Sequence, residues 1–256
     1  MLSSTIVDRV HIAGCPVDCI NLDELTEKLC QAIARRDYCQ VLGVNAAFIV
    51  DAYRHSGYKE ILESTTFVPA DGFWVAFAAK VLGYSGVGHV DIERLVYRLF
   101  ERLANMGSTV YLLGAREGIV KKAATTIEDR YKGIKVVGVK NGYFNETDEE
   151  EILSHINRLS PDLILVGMTS PKKERWMSKY RNRLRTSVVI GVGGLFDVLA
   201  GQVSSAPEWV KNHGLEWLFR LAHDPKRLWK RYTLGNAQFI CLIFREWVRT
   251  AKYFQI

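Results

Sequence analysis

Three stretches of this chain hold residues of the types that do chemistry. The first is Phe67-Val68-Pro69-Ala70-Asp71-Gly72, where an apolar strand ends at a proline and a carboxylate follows beside a glycine. Asp71 has two readings there. It is an N-cap for the helix expected over Phe73 to Leu82, or it is a carboxylate at the carboxyl end of a parallel strand, where open α/β sheets place their ligand crevice. A carboxylate so placed could accept a proton from a hydroxyl nucleophile. In the second stretch, Val188-Val189-Ile190 suits a buried parallel strand, and Gly191, Gly193 and Gly194 let the backbone turn sharply and pass close to a ligand. A helix from about Leu195 to Ala200 follows, with Asp197 one turn in and Gly201 as its stop. Strand, glycine turn and helix start make an anion site, because unpaired N–H groups and the helix dipole point at the turn. The same turn is purely structural in many α/β proteins. The third stretch is the tail, where Trp217, Phe219, Arg220, Lys226, Arg227, Trp229, Lys230 and Arg231 interleave aromatics with cations. Arg220 and Arg227 would share a face on a continuous helix, although Asp224-Pro225 is a pair that breaks helices.

Elements must position these residues. A hairpin is expected over residues 6–20, with a Gly-Cys-Pro turn. Asn21 or Asp23 caps a helix over roughly 23–36. Gln40 to Asn45 reads as a buried strand ending in a polar residue, followed by a helix with Ile49, Ala52 and Tyr53 on one face. Tyr84 to Asp91 is glycine-rich and reads as a mobile loop. Helices over Ile92 to Met106, Ile119 to Tyr131 and Asp148 to Leu159 alternate with strands at Thr109 to Gly114, Ile134 to Val139 and Asp162 to Gly167. Pro171 starts a further helix through Glu174 and Trp176, ahead of the strand at Val188. Short apolar strands joined by helical crossovers imply an α/β fold: a parallel, Rossmann-like sheet with helices on both faces. The expected division is a core over residues 1–200 and a basic, aromatic-rich helical appendage over residues 201–256.

Bulk properties narrow the class. At 256 residues, 48% hydrophobic and 24% charged, the composition is that of an ordinary soluble globular protein. No apolar run reaches the ~18–20 residues that a membrane span needs, and the N-terminus has no signal-peptide pattern. Five cysteines without paired zinc spacing read as reduced thiols in a cytoplasmic protein. The net charge is +6, and all of that excess lies from Trp209 onward, with nine Lys/Arg against three Asp/Glu. A local basic excess implies an anionic partner. For the tail this leaves a helix packed on the core with solvated charges, an interfacial helix on anionic lipid, or a phosphate clamp built on arginine forks. No nucleic-acid-binding motif is present. The dinucleotide fingerprint, the P-loop and the G-x-S-x-G elbow are all absent, which disfavours a dehydrogenase, a P-loop NTPase and a serine hydrolase.

Several motifs then occur in a recognisable order: Val44-Asn45, Pro69-Ala70-Asp71-Gly72, Leu112-Leu113-Gly114, Gly142-Tyr143-Phe144, Ser170-Pro171-Lys172 with Glu174, GVGGLFDVLAG over 191–201, SSAPEWV over 204–210, GLEWLFRL over 214–221 and DPKRLWKRY over 224–232. Over roughly residues 10–235 the chain resembles the WecG/TagA/CpsF family of bacterial glycosyltransferases (glycosyltransferase family 26). The resemblance implies an inverting transferase that needs no metal and no cofactor. It would move an N-acetylmannosamine-type or related hexose from a UDP-sugar to a polyprenyl-diphosphate-linked glycan acceptor in teichoic acid, cell-wall or extracellular polysaccharide synthesis. It implies Asp71 as general base, and Arg220 and Arg227, with Lys230, as cations closing over the UDP leaving group. Asn45, Gly114, Glu174, Gly193, Gly194 and Asp197 are carried over as substrate-binding positions. The implied location is cytoplasmic, peripheral on the anionic inner face of the plasma membrane, with room for a homo-oligomer.

The chain also departs from the usual pattern. Gly43-Val44-Asn45 stands where Thr-x-Asn is usual, which removes a hydroxyl. The usual Arg-Val-x-Gly-x-Asp-Leu falls on His89-Val90-Asp91-Ile92-Glu93-Arg94-Leu95, and the usual Pro-Lys-Gln-Glu on Pro171-Lys172-Lys173-Glu174. These positions are expected to face ligand. Either the donor or acceptor differs, with His89 and Lys173 taking over phosphate or hydroxyl contacts, or the protein is a degenerate member that binds nucleotide-sugar or lipid phosphate in a polysaccharide assembly complex. The intact set of Asp71, Arg220 and Arg227 favours an active enzyme.

Overall fold

The computed structural model describes residues 7–223 and 225–253, and the backbone alone of residues 56, 227, 228, 230–232 and 251–253. A hairpin, β1 (Arg9–Ile12) and β2 (Cys15–Asp18), precedes α1 (Leu22–Arg35), which Asn21 caps by accepting the Glu24 N–H. There follow β3 (Cys39–Leu42), α2 (Ala46–Arg54), α3 (Ser56–Glu63), α4 (Phe73–Val81), α5 (Ile92–Ala104), β4 (Thr109–Gly114), α6 (Glu117–Arg130) and β5 (Lys135–Lys140). The chain continues through α7 (Glu149–Leu159), β6 (Leu163–Gly167), α8 (Lys172–Tyr180), β7 (Val188–Gly191), α9 (Leu195–Leu199), α10 (Glu208–Asn212), α11 (Glu216–His223) and α12 (Pro225–Tyr253). α3 is absent from the sequence reading, because its short, mixed run has no clear period.

Five strands pair in parallel in the order β3-β7-β6-β4-β5, as the alternation implied. Side chains alternate along them. Val110, Leu112, Leu163, Leu165, Val188 and Ile190 join the core under α1, α5, α6 and α9. Tyr111, Leu113, Ile164, Val166 and Val189 join the core under α2, α7 and α8. Phe239 and Ile243 of α12 are buried in this second core. Burial of an aromatic or aliphatic side chain contributes roughly 1.5–3 kcal/mol, so α12 is held to the core by apolar packing.

The apolar run expected as a strand at Phe67 lies beside β3 through single bridges, Val41 to Phe67 and Val44 to Ala70. Phe67 and Asp71 donate their N–H groups to Gln40 and Val44. Pro69 stands between them with no N–H, so the rung in the middle is missing and no continuous strand forms. On its outer side His89 bridges Ala70, and Val90 donates to the Ala70 carbonyl at 2.9 Å. The glycine-rich loop is thus pinned at two points, since Gly88 also donates to Ile20. Tyr53, expected beside Ile49 and Ala52, is 49% exposed while those two are buried.

Candidate functional site

Asp71 stands at the carboxyl end of the sheet. Its backbone N–H donates to the Val44 carbonyl at 2.9 Å, which fixes it to the continuation of β3. The N-cap reading fails. The N-cap of α4 is Gly72, at φ 116°, and no side chain caps that helix. Instead the half-buried Asp71 carboxylate turns toward the start of α5, where Oδ1 accepts the Ile92 N–H at 3.4 Å. Burial raises its pKa to about 7, helped by the negative charges of Asp91 and Glu216. Arg220 and the Ile92 N–H act in the opposite sense and fall short.

α10 and α11 are seated beside this carboxylate by a polar network. Asp91 caps α5 by accepting from Glu93 and Arg94 N–H at 2.8 and 3.2 Å. Its other oxygen faces the buried Lys211 ammonium of α10 at 3.3 Å, and Glu93 faces the same ammonium at 3.4 Å. Burial opposes the charge on Lys211, but the two carboxylates prevail and raise its pKa. Ser205 donates to Glu93 at 2.6 Å. Arg94 pairs with Glu208 and donates to Asn212 at 3.1 Å. Trp74 of α4 donates its indole N–H to the Gly214 carbonyl at 3.0 Å. α11 follows, and on it Arg220 donates to Glu216 at 2.5 Å.

The other expected site residues divide by strand exit. Asn45 follows β3 and caps α2, accepting the Phe48 N–H at 3.0 Å. His89 is half-buried beside Ala70; burial lowers its pKa although Asp91 opposes this, which favours the neutral ring over the cation. At the neighbouring β7 exit, Gly193 has φ 54° with open space where a Cβ would stand, and α9 starts at once. Asp197 lies in α9, half-buried. Lys173 lies with its stem against Gly191, and its ammonium is 3.2 Å from Glu174. Glu174 is 1% exposed and also accepts from Ser170 at 2.6 Å, and its Oε2 accepts no hydrogen bond among the described residues. Gly114 ends β4, and a Cβ there would stand 2.2 Å from the Gly167 carbonyl oxygen, so its glycine is needed for β4 and β6 to approach. Arg220 is exposed on α11. The side chains of Arg227 and Lys230, and all of Asp224, lie outside the described residues. α11 runs to His223 and α12 from Pro225, and the shared-face reading of Arg220 and Arg227, which turns on Asp224, falls outside the described residues.

Two of the departures have close neighbours within the protein. Arg94 points to Glu208 and Asn212 and ties α10 to α5. At Gly43, a Cβ would stand 2.8 Å from the Asp71 Cβ and 2.7 Å from Ile92 Cγ1. Glu216, Lys211 and Asp91 belong to the charge environment of the site but were not singled out from the sequence. Only the Gly-Leu-Glu-Trp motif hinted at the first. A cavity of about 430 Å³ lined by Tyr97, Arg130 and Val203 contains none of the expected site residues. Among the described residues no group of three or more His, Cys, Asp or Glu side chains is placed to hold a metal ion.

The chain is similar in sequence to known proteins. Residues 10–253 match the Glycosyl transferase WecG/TagA/CpsF family. An N-acetylglucosaminyldiphosphoundecaprenol N-acetyl-beta-D-mannosaminyltransferase of Bacillus subtilis (strain 168) is 30% identical over 207 residues, 79% of this chain and 78% of that protein. Proteins of the same description from Bacillus spizizenii and Staphylococcus aureus (strain MW2) are each 27% identical, over 83% and 86% of this chain and 81% and 87% of their own lengths. With a family match running from the hairpin to the end of α12, and the sheet and its exits in place, the chain belongs to the WecG/TagA/CpsF family of glycosyl transferases.

Proposed function

We propose that this enzyme transfers an N-acetylmannosamine-type or related hexosyl group from a UDP-sugar to a hydroxyl of a polyprenyl-diphosphate-linked sugar, with inversion and with Asp71 as general base. The observation that carries this is the Asp71 carboxylate itself: half-buried at the sheet's carboxyl end, with its proton affinity raised to about 7. A base poised near the working pH abstracts a proton effectively. In the step, the acceptor O–H gives its proton to Asp71 as its oxygen bonds to the anomeric carbon. The bond from that carbon to the UDP oxygen breaks, and its electron pair leaves on the diphosphate. Displacement from the opposite face inverts the centre. Arg220, with Arg227 and Lys230 following it in the chain, supplies positive charge for the departing diphosphate, a role that needs no metal ion. The relatives' names support the acceptor class and the mannosaminyl donor.

The acceptor is lipid-linked in this reading, so the enzyme works at a membrane surface. No described helix is long and apolar enough to cross one. α12 instead exposes Ile240, Phe244 and Trp247 at helical spacing, beside Arg245 and Arg249, which suits in-plane contact with anionic lipid. The test is UDP release from a panel of UDP-sugars with a short-chain polyprenyl-diphosphate-sugar acceptor. Release with one donor, dependent on acceptor, insensitive to EDTA and lost in Asp71→Asn while UDP still binds, is expected. UDP binding without release on any donor would refute the transferase reading in favour of a binding protein.

A further inference from the structure

Among the described residues the Asp71 carboxylate accepts one hydrogen bond, the long one from the Ile92 N–H to Oδ1. What else fixes this side chain is steric. Ile92 is buried at 6% exposure, and its Cγ1 and Cδ1 would stand 2.7 and 2.9 Å from a Cβ on Gly43. The Asp71 Cβ would stand 2.8 Å from the same point. Two side chains therefore share the volume that any residue larger than glycine at position 43 would claim. Gly43 is not required by its backbone, since its φ lies outside the left-handed region. Its smallness is required by its neighbours.

We propose that Gly43 and Ile92 are a matched pair that positions Asp71 for the transfer, Ile92 being the positioning residue and Gly43 the gap that admits it. The inference rests on the reading of Asp71 as the base. Ile92 acts twice, through its N–H on Oδ1 and through its methyl-bearing side chain packed where Asp71 emerges. The flank of the carboxylate becomes an apolar wall with no competing hydroxyl, and Oδ2 is left to the acceptor hydroxyl. The same wall keeps water from that flank, in keeping with the raised proton affinity.

A double-mutant cycle on the full chain tests the pair, using Gly43→Ala, Ile92→Ala and the double variant. Three quantities are read: kcat and KM for UDP release, the titration of the Asp71 carboxyl carbon by NMR assigned against Asp71→Asn, and the melting temperature. Gly43→Ala is expected to lower kcat about tenfold or more with donor KM little changed, because the added methyl displaces the carboxylate. Ile92→Ala is expected to lower the carboxyl pKa by about one unit as water reaches the flank. In the double variant the alanine at 43 fits the space vacated at 92, and kcat returns to within about threefold of Ile92→Ala alone. Independent, multiplying losses would overturn the pair. Should Gly43→Ala fail to fold, Ile92→Val and Ile92→Ala give a graded fall in the carboxyl pKa, and an unmoved titration in both overturns the proposal. Because the titration is read without turnover, it separates the two readings. Transfer that persists in Asp71→Asn sinks the base, whereas an uncoupled titration sinks the pair.

Discussion

Asp71→Asn should make this protein more stable while abolishing its transfer activity, and the gain should depend on pH in a defined direction. A carboxylate with a folded pKa of about 7 against an ordinary value of 3.8 binds its proton more tightly in the folded state than in the unfolded chain. Below pH 3.8 both states hold the proton and the site has no electrostatic cost. Between 3.8 and 7 the unfolded chain ionises first, and the folded state loses stability as pH rises. Above 7 the cost is complete. A shift of three units corresponds to about 4 kcal/mol at 1.36 kcal/mol per unit. Asp71 keeps partial solvent contact, so roughly half of that, about 2 kcal/mol, is the better expectation. Asparagine has the shape of the protonated acid and never ionises. The variant should therefore melt about 4–8 °C above the parent at pH 8, given ~2–4 °C per kcal/mol for a chain of this size. At pH 4.5 the gap should shrink to about a quarter of that, because ionisation of the unfolded chain above pH 3.8 has only begun to cost stability. Differential scanning calorimetry across pH 4.5–8, with UDP release assayed alongside, checks both parts. A variant that melts below the parent at pH 8, or a gap that does not widen with pH, would refute the claim that burial and Asp91 hold this carboxylate against ionisation.

Removal of Arg220 takes away a cation that favours the Asp71 carboxylate. Arg220→Ala should move the acid limb of the kcat/KM–pH profile to higher pH as well as slow transfer, and an unmoved limb would place Arg220 outside the base's field. Lys211→Met leaves Asp91 and Glu93 facing each other without their buried ammonium. The expected cost is about 3–5 kcal/mol in urea unfolding, and a loss under 1 kcal/mol would show that water already screens the triad. Gly114→Ala drives a methyl into the Gly167 carbonyl and should cost well over 3 kcal/mol or prevent folding. Gly193→Ala meets only open space at φ 54° and should cost roughly 1–2 kcal/mol, the ordinary penalty of a left-handed alanine. Thermal melts of the two variants side by side decide whether sterics or conformation sets the price at each glycine.

The fold class was legible because its signal is local and repeated. Four- to six-residue apolar strands alternating with amphipathic helices leave a parallel sheet covered on both faces as the economical solution, and Gly114, Gly167 and Gly191 marked its strand exits. The motifs around Asp71, Gly193 and Arg220 likewise marked one end of that sheet. The residue types at 71, 220 and 227 were enough to raise base-and-cation chemistry, since few other side chains present a carboxylate and two guanidinium forks.

Tertiary structure decided what those residues face. Two roles were open for Asp71 from its neighbours in sequence, and only the turn of its side chain away from α4 toward Ile92, 21 positions on, removed the capping role. Arg94 read as a ligand contact because its motif falls on positions expected to face ligand; packing turns it to Glu208, more than a hundred residues away. Lys211 gave no signal at all, because a lone lysine in a basic tail looks solvated until Asp91 and Glu93 are seen to bury it. Gly43 read as a lost hydroxyl, and only the fold shows Ile92 and the Asp71 Cβ standing where its side chain would be. Periodicity and composition are sums over near neighbours and survive in one dimension. A charge's partner and a glycine's missing space depend on segments that meet only when the chain is folded.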